Sequence, residues 1–383
     1  MNRIRLHISG DRGIWMVVVL LSIFSLLAVY SSTRTLAYGQ SGAGGFYLLK
    51  HVGIVLAGLG LMYAAHLIRY PNYARFSYML LFVSVLLLLY TQMRGVSINE
   101  ARRWVIIPII NITFQSSDFA KLALTIFLAR MLTVKQEKVR DWKTGFLPLL
   151  WPILIICLLI LPSNFSTAAI LFASSVVLLF IGRARLKHIL VLGGIGIVAI
   201  AVFIGILYAL PETQRGRLGT WTQRIENYSS GDHDEVYQVK QSKIAIASGG
   251  VFGRMPGNSI QRNFLPNPFS DFIYAIIIEE YGLIGGLIIL ILYMILLYRS
   301  IRIAIDSPGT FGSLLSVGLG FSLVFQAMIN MAVATGLLPV TGQPLPMVSM
   351  GGTSIWFTSI SIGIMLSVSR ESENQENEEA VAA

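Results

Sequence analysis

Apolar residues in this chain run in long blocks separated by short polar connections, with little strict alternation of apolar and polar positions. Ten blocks are read, at about 14–32, 47–68, 76–93, 117–133, 146–161, 165–182, 187–210, 271–299, 313–336 and 350–369. A helix of about 20 residues crosses a hydrocarbon core of roughly 30 Å. The pattern therefore predicts an all-α, polytopic integral membrane protein of about ten transmembrane helices. The fifth and sixth blocks are short and meet around Pro162, where one broken helical hairpin would serve equally.

Two connections stand out by length. Residues 94–116 contain ARRWVIIPIINITFQSSD, and predict an amphipathic loop lying against the membrane or on the bundle. Residues 211–270 form the large loop between the seventh and eighth helices. It keeps Trp221, Ile225, Tyr228, Tyr237, Ile244, Ile246, Phe252 and Phe264, which argues against disorder and for a partly ordered cap. Within it, VYQVKQSKIAIAS at 236–248 predicts a short amphipathic helix. The whole of 1–383 reads as one membrane domain, with 371–383 as a solvated acidic tail.

Composition agrees with the pattern. The 383 residues are 55% hydrophobic and 13% charged, with mean hydropathy +0.69, against about 25% charged in soluble chains. The net charge of +10 is spread over alternate connections and is not gathered into one patch. One side carries Arg3, Arg5 and Arg12; Arg69 and Arg75; Lys135, Lys138, Arg140 and Lys143; Arg183, Arg185 and Lys187; Arg299 and Arg302. By the positive-inside rule both termini are cytoplasmic and the two long connections external. The charge sets orientation, and nucleic acid is not an expected partner. A first helix retained in the membrane is expected over a cleaved signal, because no small-x-small cleavage site follows it. Cys157, the one cysteine, lies mid-span and forms no intramolecular disulfide. No phosphate-loop, dinucleotide or zinc-type motif occurs, so ATP coupling is not encoded here.

The candidate chemistry gathers near one membrane surface. Asp271 opens the eighth block, and reads either as an N-cap carboxylate or as a general base. Ser270 precedes it as a candidate substrate contact. Gly249, Gly250, Gly253 and Gly257 give a loop whose N–H groups could converge on an anion, flanked by Arg254 and Arg262. Arg102 and Arg103 lie against the positive-inside trend, as phosphate-binding forks, as interfacial snorkels, or in a salt bridge with Glu100. Lys121 either pairs with Asp118 three residues before it or forms a cationic wall of an external cavity. Glu279 and Glu280 are ionisable groups inside a span, where function is the default reading. A continuous helix turns Glu280 away from Asp271 and toward a neighbour, with Gln326 and Asn330 as the polar partners. The connection 336–354 holds three prolines and no ionisable group, which assigns it shape rather than catalysis.

Four segments together resemble the SEDS family, the shape, elongation, division and sporulation proteins, over nearly the whole chain. They are EARRW at 100–104 with FQSSDFAK at 114–121; YQVKQSKIAIASGGVFG at 237–253; LPNPFSDFIYAIIIEEYGLIGG at 265–286; and GLLPVTGQPLPMVSMGGTS at 336–354. The resemblance implies a ten-span peptidoglycan glycosyltransferase that polymerises lipid II on the outer face of the bacterial cytoplasmic membrane, beside a class B penicillin-binding protein. It carries the family's catalytic aspartate onto Asp271, the arginine of G-A-x-R-W onto Arg103, and the lysine of the fourth helix onto Lys121. A divalent cation, Mg or Mn, is a further candidate implied at the leaving diphosphate. Asn164 stands in PSNFST, 162–167, where the family usually has an acid. The start VYSSTRTLAY and the phrase PVTGQPLPMVSMGGTS favour a division-type member, with divisome partners at the septum, over an elongation-type one. A lipid II transporter and a non-catalytic scaffold for a transpeptidase are the competing readings.

Overall fold

The computed structural model describes residues 9–39, 43–98, 101–107, 112–209 and 233–382. Its helices are α1 (Arg12–Gly39), α2 (Ala43–Leu67), α3 (Tyr70–Arg94), α4 (Ser116–Val134), α5 (Leu147–Ile160), α6 (Phe165–Ile181) and α7 (Leu186–Ala209). They continue as α8 (His233–Gly249), α9 (Ile273–Asp306), α10 (Thr310–Ala334) and α11 (Thr353–Ala382). Each of the ten apolar blocks is helical. Among the described residues, six helices are long and apolar enough to cross a membrane by length and composition, and α6 and the start of α7 are shorter apolar helices. The protein is a multi-pass membrane protein. α5 and α6 are separate helices, joined by a tight turn in which Asn164 Oδ1 accepts the Thr167 N–H at 3.2 Å and caps α6.

Packing separates the helix faces cleanly. Leu21, Leu124, Ile153, Ile277 and Tyr293 are fully buried between helices, whereas Leu56, Phe82 and Ile197 are exposed on the outside. Exposed large apolar side chains on α2, α3 and α7 are costly in water and at home in lipid tails.

The segment expected to be an amphipathic loop is a small antiparallel sheet of β1 (Val96–Ile98), β2 (Ala101–Ile107) and β3 (Ile112–Gln115), in the order β1-β2-β3. Trp104 pairs with Gln115 and Val105 with Phe114. The sheet is tied to the start of α11: Gln115 N donates to Thr353 Oγ1 at 3.2 Å, and Thr353 Oγ1 donates to the Thr113 carbonyl at 3.2 Å. It satisfies backbone groups that a bare loop at the membrane surface would leave open.

Residues 371–382, expected as a solvated tail, continue α11. Arg69 forms an ion pair with Glu371 at 2.5 Å, and the Gly10 N–H donates to Glu373 Oε2 at 2.9 Å, so this end of the last helix is held to both α1 and the α2–α3 turn. The amphipathic helix expected at 236–248 is α8, and Ser242 Oγ docks it on the Ala334 carbonyl at 2.5 Å. Trp221, Ile225 and Tyr228 lie outside the described residues.

α9 is two rods. Gly282 has φ 73° and ψ −175°, which breaks the helix nine residues into it. Only glycine adopts such a conformation without strain. The loop after α8 fills the break: Leu283 N donates to the Gly250 carbonyl at 2.9 Å, and Arg254 N donates to the Glu279 carbonyl at 2.9 Å. Backbone groups freed by the break are thus paired inside the protein, as membrane depth requires.

Candidate active site

Asp271 lies two residues ahead of the following helix. α9 begins at Ile273 with Phe272 at the N-cap and no side-chain cap bond, so the half-buried Asp271 sits in the preceding turn. Its Oδ1 accepts the Ser270 hydroxyl at 2.9 Å. Three consecutive carbonyls of this turn are held, two from the 336–354 connection and one from α10. Met350 N donates to Phe269 O at 2.9 Å, Ser349 Oγ to Ser270 O at 2.6 Å, and Asn330 Nδ2 to Asp271 O at 2.9 Å. A main chain held at three successive residues gives the carboxylate little freedom beyond its own side-chain rotation.

Lys121 is held in one place by two helices. Its ammonium donates to Asp118 at 2.7 Å and to Gln326 Oε1 at 2.9 Å, with 13% of its side chain exposed. Lys121 thus pairs with Asp118, and both line a cavity. That cavity lies between α4, α10 and α11, with about 380 Å³ of empty volume including its mouth. Gln326, Thr125, Ser322, Ser354 and Thr358 also line it.

One hydrogen-bonded frame joins the two ionisable groups. Gln326 accepts from Lys121 and donates to the Pro344 carbonyl at 3.0 Å. Asn330, one turn along α10, donates both to the Gln343 carbonyl at 2.8 Å and to the Asp271 carbonyl. Gln343 Nε2 reaches Thr167 Oγ1 at 2.7 Å, on the first turn of α6 that Asn164 caps. The connection 336–354 thus supplies shape, and Gln343 within it was missed by the sequence reading. Its signal was its place as the one side-chain amide in a proline-rich connection.

Gln326 and Asn330 were expected to serve Glu280 and bond instead to Lys121, the Asp271 carbonyl and the 336–354 connection. Glu279 accepts from Ser259 Oγ at 2.5 Å and Ile260 N at 2.9 Å, both on the loop after α8. Glu280 does reach a neighbouring helix, accepting from Ser31 Oγ of α1, and it also accepts Ser259 N at 3.3 Å. Arg262 Nη1 joins this cluster through the Ser31 and Gly257 carbonyls, at 3.1 and 2.9 Å. The glutamates pin the loop to the broken helix.

The glycine loop has the same task. A Cβ on Gly249 would strike the Ile278 carbonyl, and the Gly253 N–H is spent on the Gly249 carbonyl at 2.8 Å. Gly249 and Gly250 pack on α9 and do not join the Lys121 cavity. The backbone of Arg102 and Arg103 lies in β2, with Arg102 opposite Ser97; their side chains, and Glu100, fall outside the described residues. Among the described residues no three His, Cys, Asp or Glu side chains gather into a cluster able to hold a metal ion.

Comparison with known proteins places this architecture. The family model described as "Cell cycle protein", for FtsW, RodA and SpoVE, matches residues 11–374. Stage V sporulation protein E of Bacillus subtilis is 34% identical over 95% of this chain and 98% of its own length. A probable peptidoglycan glycosyltransferase FtsW of Haemophilus influenzae is 33% identical, covering 94% of this chain and 90% of its own. Among solved structures, a chain from work titled "Structural coordination of polymerization and crosslinking by a peptidoglycan synthase complex" superposes with a TM-score of 0.77. It is 25% identical, over 95% of this chain and 99% of that one. The rod shape determining protein RodA of Thermus thermophilus gives a TM-score of 0.67 at 25% identity, over 96% and 98% of the two chains. On a family match that spans nearly its whole length, this chain belongs to the SEDS family of cell cycle proteins, the family of FtsW, RodA and SpoVE.

Proposed function

We propose that the chain is a peptidoglycan glycosyltransferase that polymerises lipid II into glycan strands, with Asp271 as general base. The acceptor's sugar 4-hydroxyl gives its proton to the Asp271 carboxylate as its oxygen attacks the donor's anomeric carbon. A new C–O bond forms, the bond from that carbon to the diphosphate oxygen breaks, and lipid diphosphate leaves. General-base assistance of this kind contributes about 10²–10⁴-fold. Lys121 and Arg103 would meet the charge on the departing diphosphate, an electrostatic task that favours fixed cations in a site poor in water. The carrying observation is the frame that fixes the Asp271 turn and Lys121 through the same helix, α10. The FtsW relatives carry the same activity in their names, which supports the reading.

The site end of the bundle then faces outward and both termini face the cytoplasm, as the basic connections require. The partner is a class B penicillin-binding protein, and the setting is the division septum with the other divisome proteins. The competing transport reading rested on Glu279 and Glu280, and both are engaged in holding the loop after α8, with Glu280 also bonded by Ser31 of α1.

The test is lipid II polymerisation by the purified chain, with and without its cognate class B partner, for wild type and Asp271→Asn. Glycan strands from the wild type and none from a folded, partner-binding mutant are expected. Equal polymerisation by both would remove Asp271 as the base.

A further inference from the structure

At the end of the bundle away from the Lys121 cavity, the helices splay around a larger groove. Its cavity volume is about 500 Å³, within the roughly 300–1,000 Å³ of typical ligand sites. Its apolar walls are Leu132 of α4, Ile181 of α6, Ile301 of α9, and Leu314 and Val317 of α10. Its rim is polar, with Gln136, Arg183 and Thr310. The apolar walls continue onto Ile181 and Ile305, which are 39% and 69% exposed on the flank of the bundle. An apolar slot opening sideways from a bundle of membrane-crossing helices faces acyl chains.

Two features make the rim electropositive, the Arg183 guanidinium and the start of α10. Arg183 is exposed and has no ion-pair partner among the described residues. It also has φ +64°, a left-handed conformation that side-chain-bearing residues adopt at a cost. Glycine would ordinarily take such a place after a helix. Here Gly182 is needed one residue earlier, where a Cβ would come within 2.7 Å of the Leu132 side chain, so the strained position falls to an arginine. Thr310 opens the 25-residue helix α10, whose N-cap Gly309 offers no side-chain cap and whose first turn has no acid. Its free N–H groups and dipole favour an anion. Asp306, the acid in this turn, is exposed and is not among the residues lining the groove.

We infer that this groove is a binding site for an anionic phospholipid. One acyl chain lies along Leu132, Ile301, Leu314 and Val317, and the phosphate sits at Arg183 and the start of α10. Basic pockets between membrane helices recognise acidic head groups in this way. The site is separate from the proposed transferase centre and does not depend on that assignment. The strain kept at Arg183 has a purpose on this account, because glycine would ease the turn and lose the guanidinium.

The experiment uses the full chain in detergent and follows its thermal melting with added phosphatidylglycerol or phosphatidylcholine. Three forms are compared: wild type, Arg183→Gly and Lys187→Gln, the last removing a nearby exposed cation outside the groove. Phosphatidylglycerol is expected to raise the wild-type melting temperature at a concentration at least tenfold below that needed for phosphatidylcholine. Arg183→Gly should melt no lower than wild type without lipid, yet lose that preference; Lys187→Gln should keep it. Equal responses to the two lipids, or an undiminished preference in Arg183→Gly, would overturn the site. Equal loss in Lys187→Gln would also overturn it, since diffuse surface charge would then explain the effect.

Discussion

Asn330 donates through one amide nitrogen to the Asp271 carbonyl at 2.9 Å and to the Gln343 carbonyl at 2.8 Å, so a single side chain fastens the Asp271 turn to the proline-rich connection. Asn330 is 1% exposed, and no water can replace it cheaply. Asn330→Leu would strand two carbonyls at a cost of about 1–3 kcal/mol each. It should also slow polymerisation by on the order of 10²-fold, the scale of an ångström-sized misplacement. Turnover measured beside partner binding checks this: rate should fall while binding persists.

The Lys121–Asp118 pair predicts non-additive mutants. Asp118 is 4% exposed, so removing one partner leaves the other charge buried, at about 3–5 kcal/mol. Lys121→Met and Asp118→Leu should each lower the melting temperature, and the double mutant should recover much of the loss. A double-mutant cycle on thermal melts reads the coupling directly. Additive losses would show that the pair is not energetically joined.

The break in α9 predicts a ranking among glycines. At Gly282 a Cβ would meet the Gly253 N–H at 2.6 Å and the Val251 carbonyl, on top of a positive φ. Gly282→Ala should therefore prevent folding or sharply reduce monodisperse yield. Gly250 has φ +54° but open space around it, so Gly250→Ala should cost only about 1 kcal/mol. Gel-filtration profiles and melting temperatures of the two variants test the order.

Asp141 predicts a pH dependence outside the membrane. Its Oδ2 accepts the Thr144 hydroxyl at 2.6 Å and the Thr144 N–H at 2.9 Å. Chiefly the hydroxyl, then the N–H, holds the carboxyl below its ordinary range. A lowered folded-state pKa contributes stability that is present above the unfolded value of about 3.9 and lost as pH falls through the folded value. The stability gap between wild type and Asp141→Asn should therefore stay constant from pH 7 to about 5 and close at lower pH. Paired melts across that range would show it.

The helices were legible because a span needs a long apolar block, and such blocks are local properties of the sequence. α8 was legible from its amphipathic spacing. The sheet at 96–115 was not, because its longest strand, ARRWVII, does not alternate polar and apolar residues and its pairing is set between strands. Asp271, Ser270 and Lys121 could be singled out by residue type and position. Their partners were harder to read. Gln326 and Asn330 were recognised as polar and inward, yet assigned to Glu280, because a helical wheel gives a face and not the neighbour it meets. The wheel also assumed an unbroken helix. Gly282 interrupts it, and the glycines at 249, 250 and 253 make room for the loop that fills the break. Glycines in both segments were visible, but only their contact shows that they belong together.

The bond between Gly10 and Glu373 has a topological consequence. The first and last helices meet at one end of the bundle, so the described chain closes on itself almost as a ring. Its connectivity could then be cut elsewhere and rejoined here by a short linker, with every helix keeping its neighbours. A cut in a long connection such as 210–232 would make α8 the new beginning and α7 the new end. The bundle would be the same solid with a different starting point, and its order of synthesis, not its packing, would be what changed.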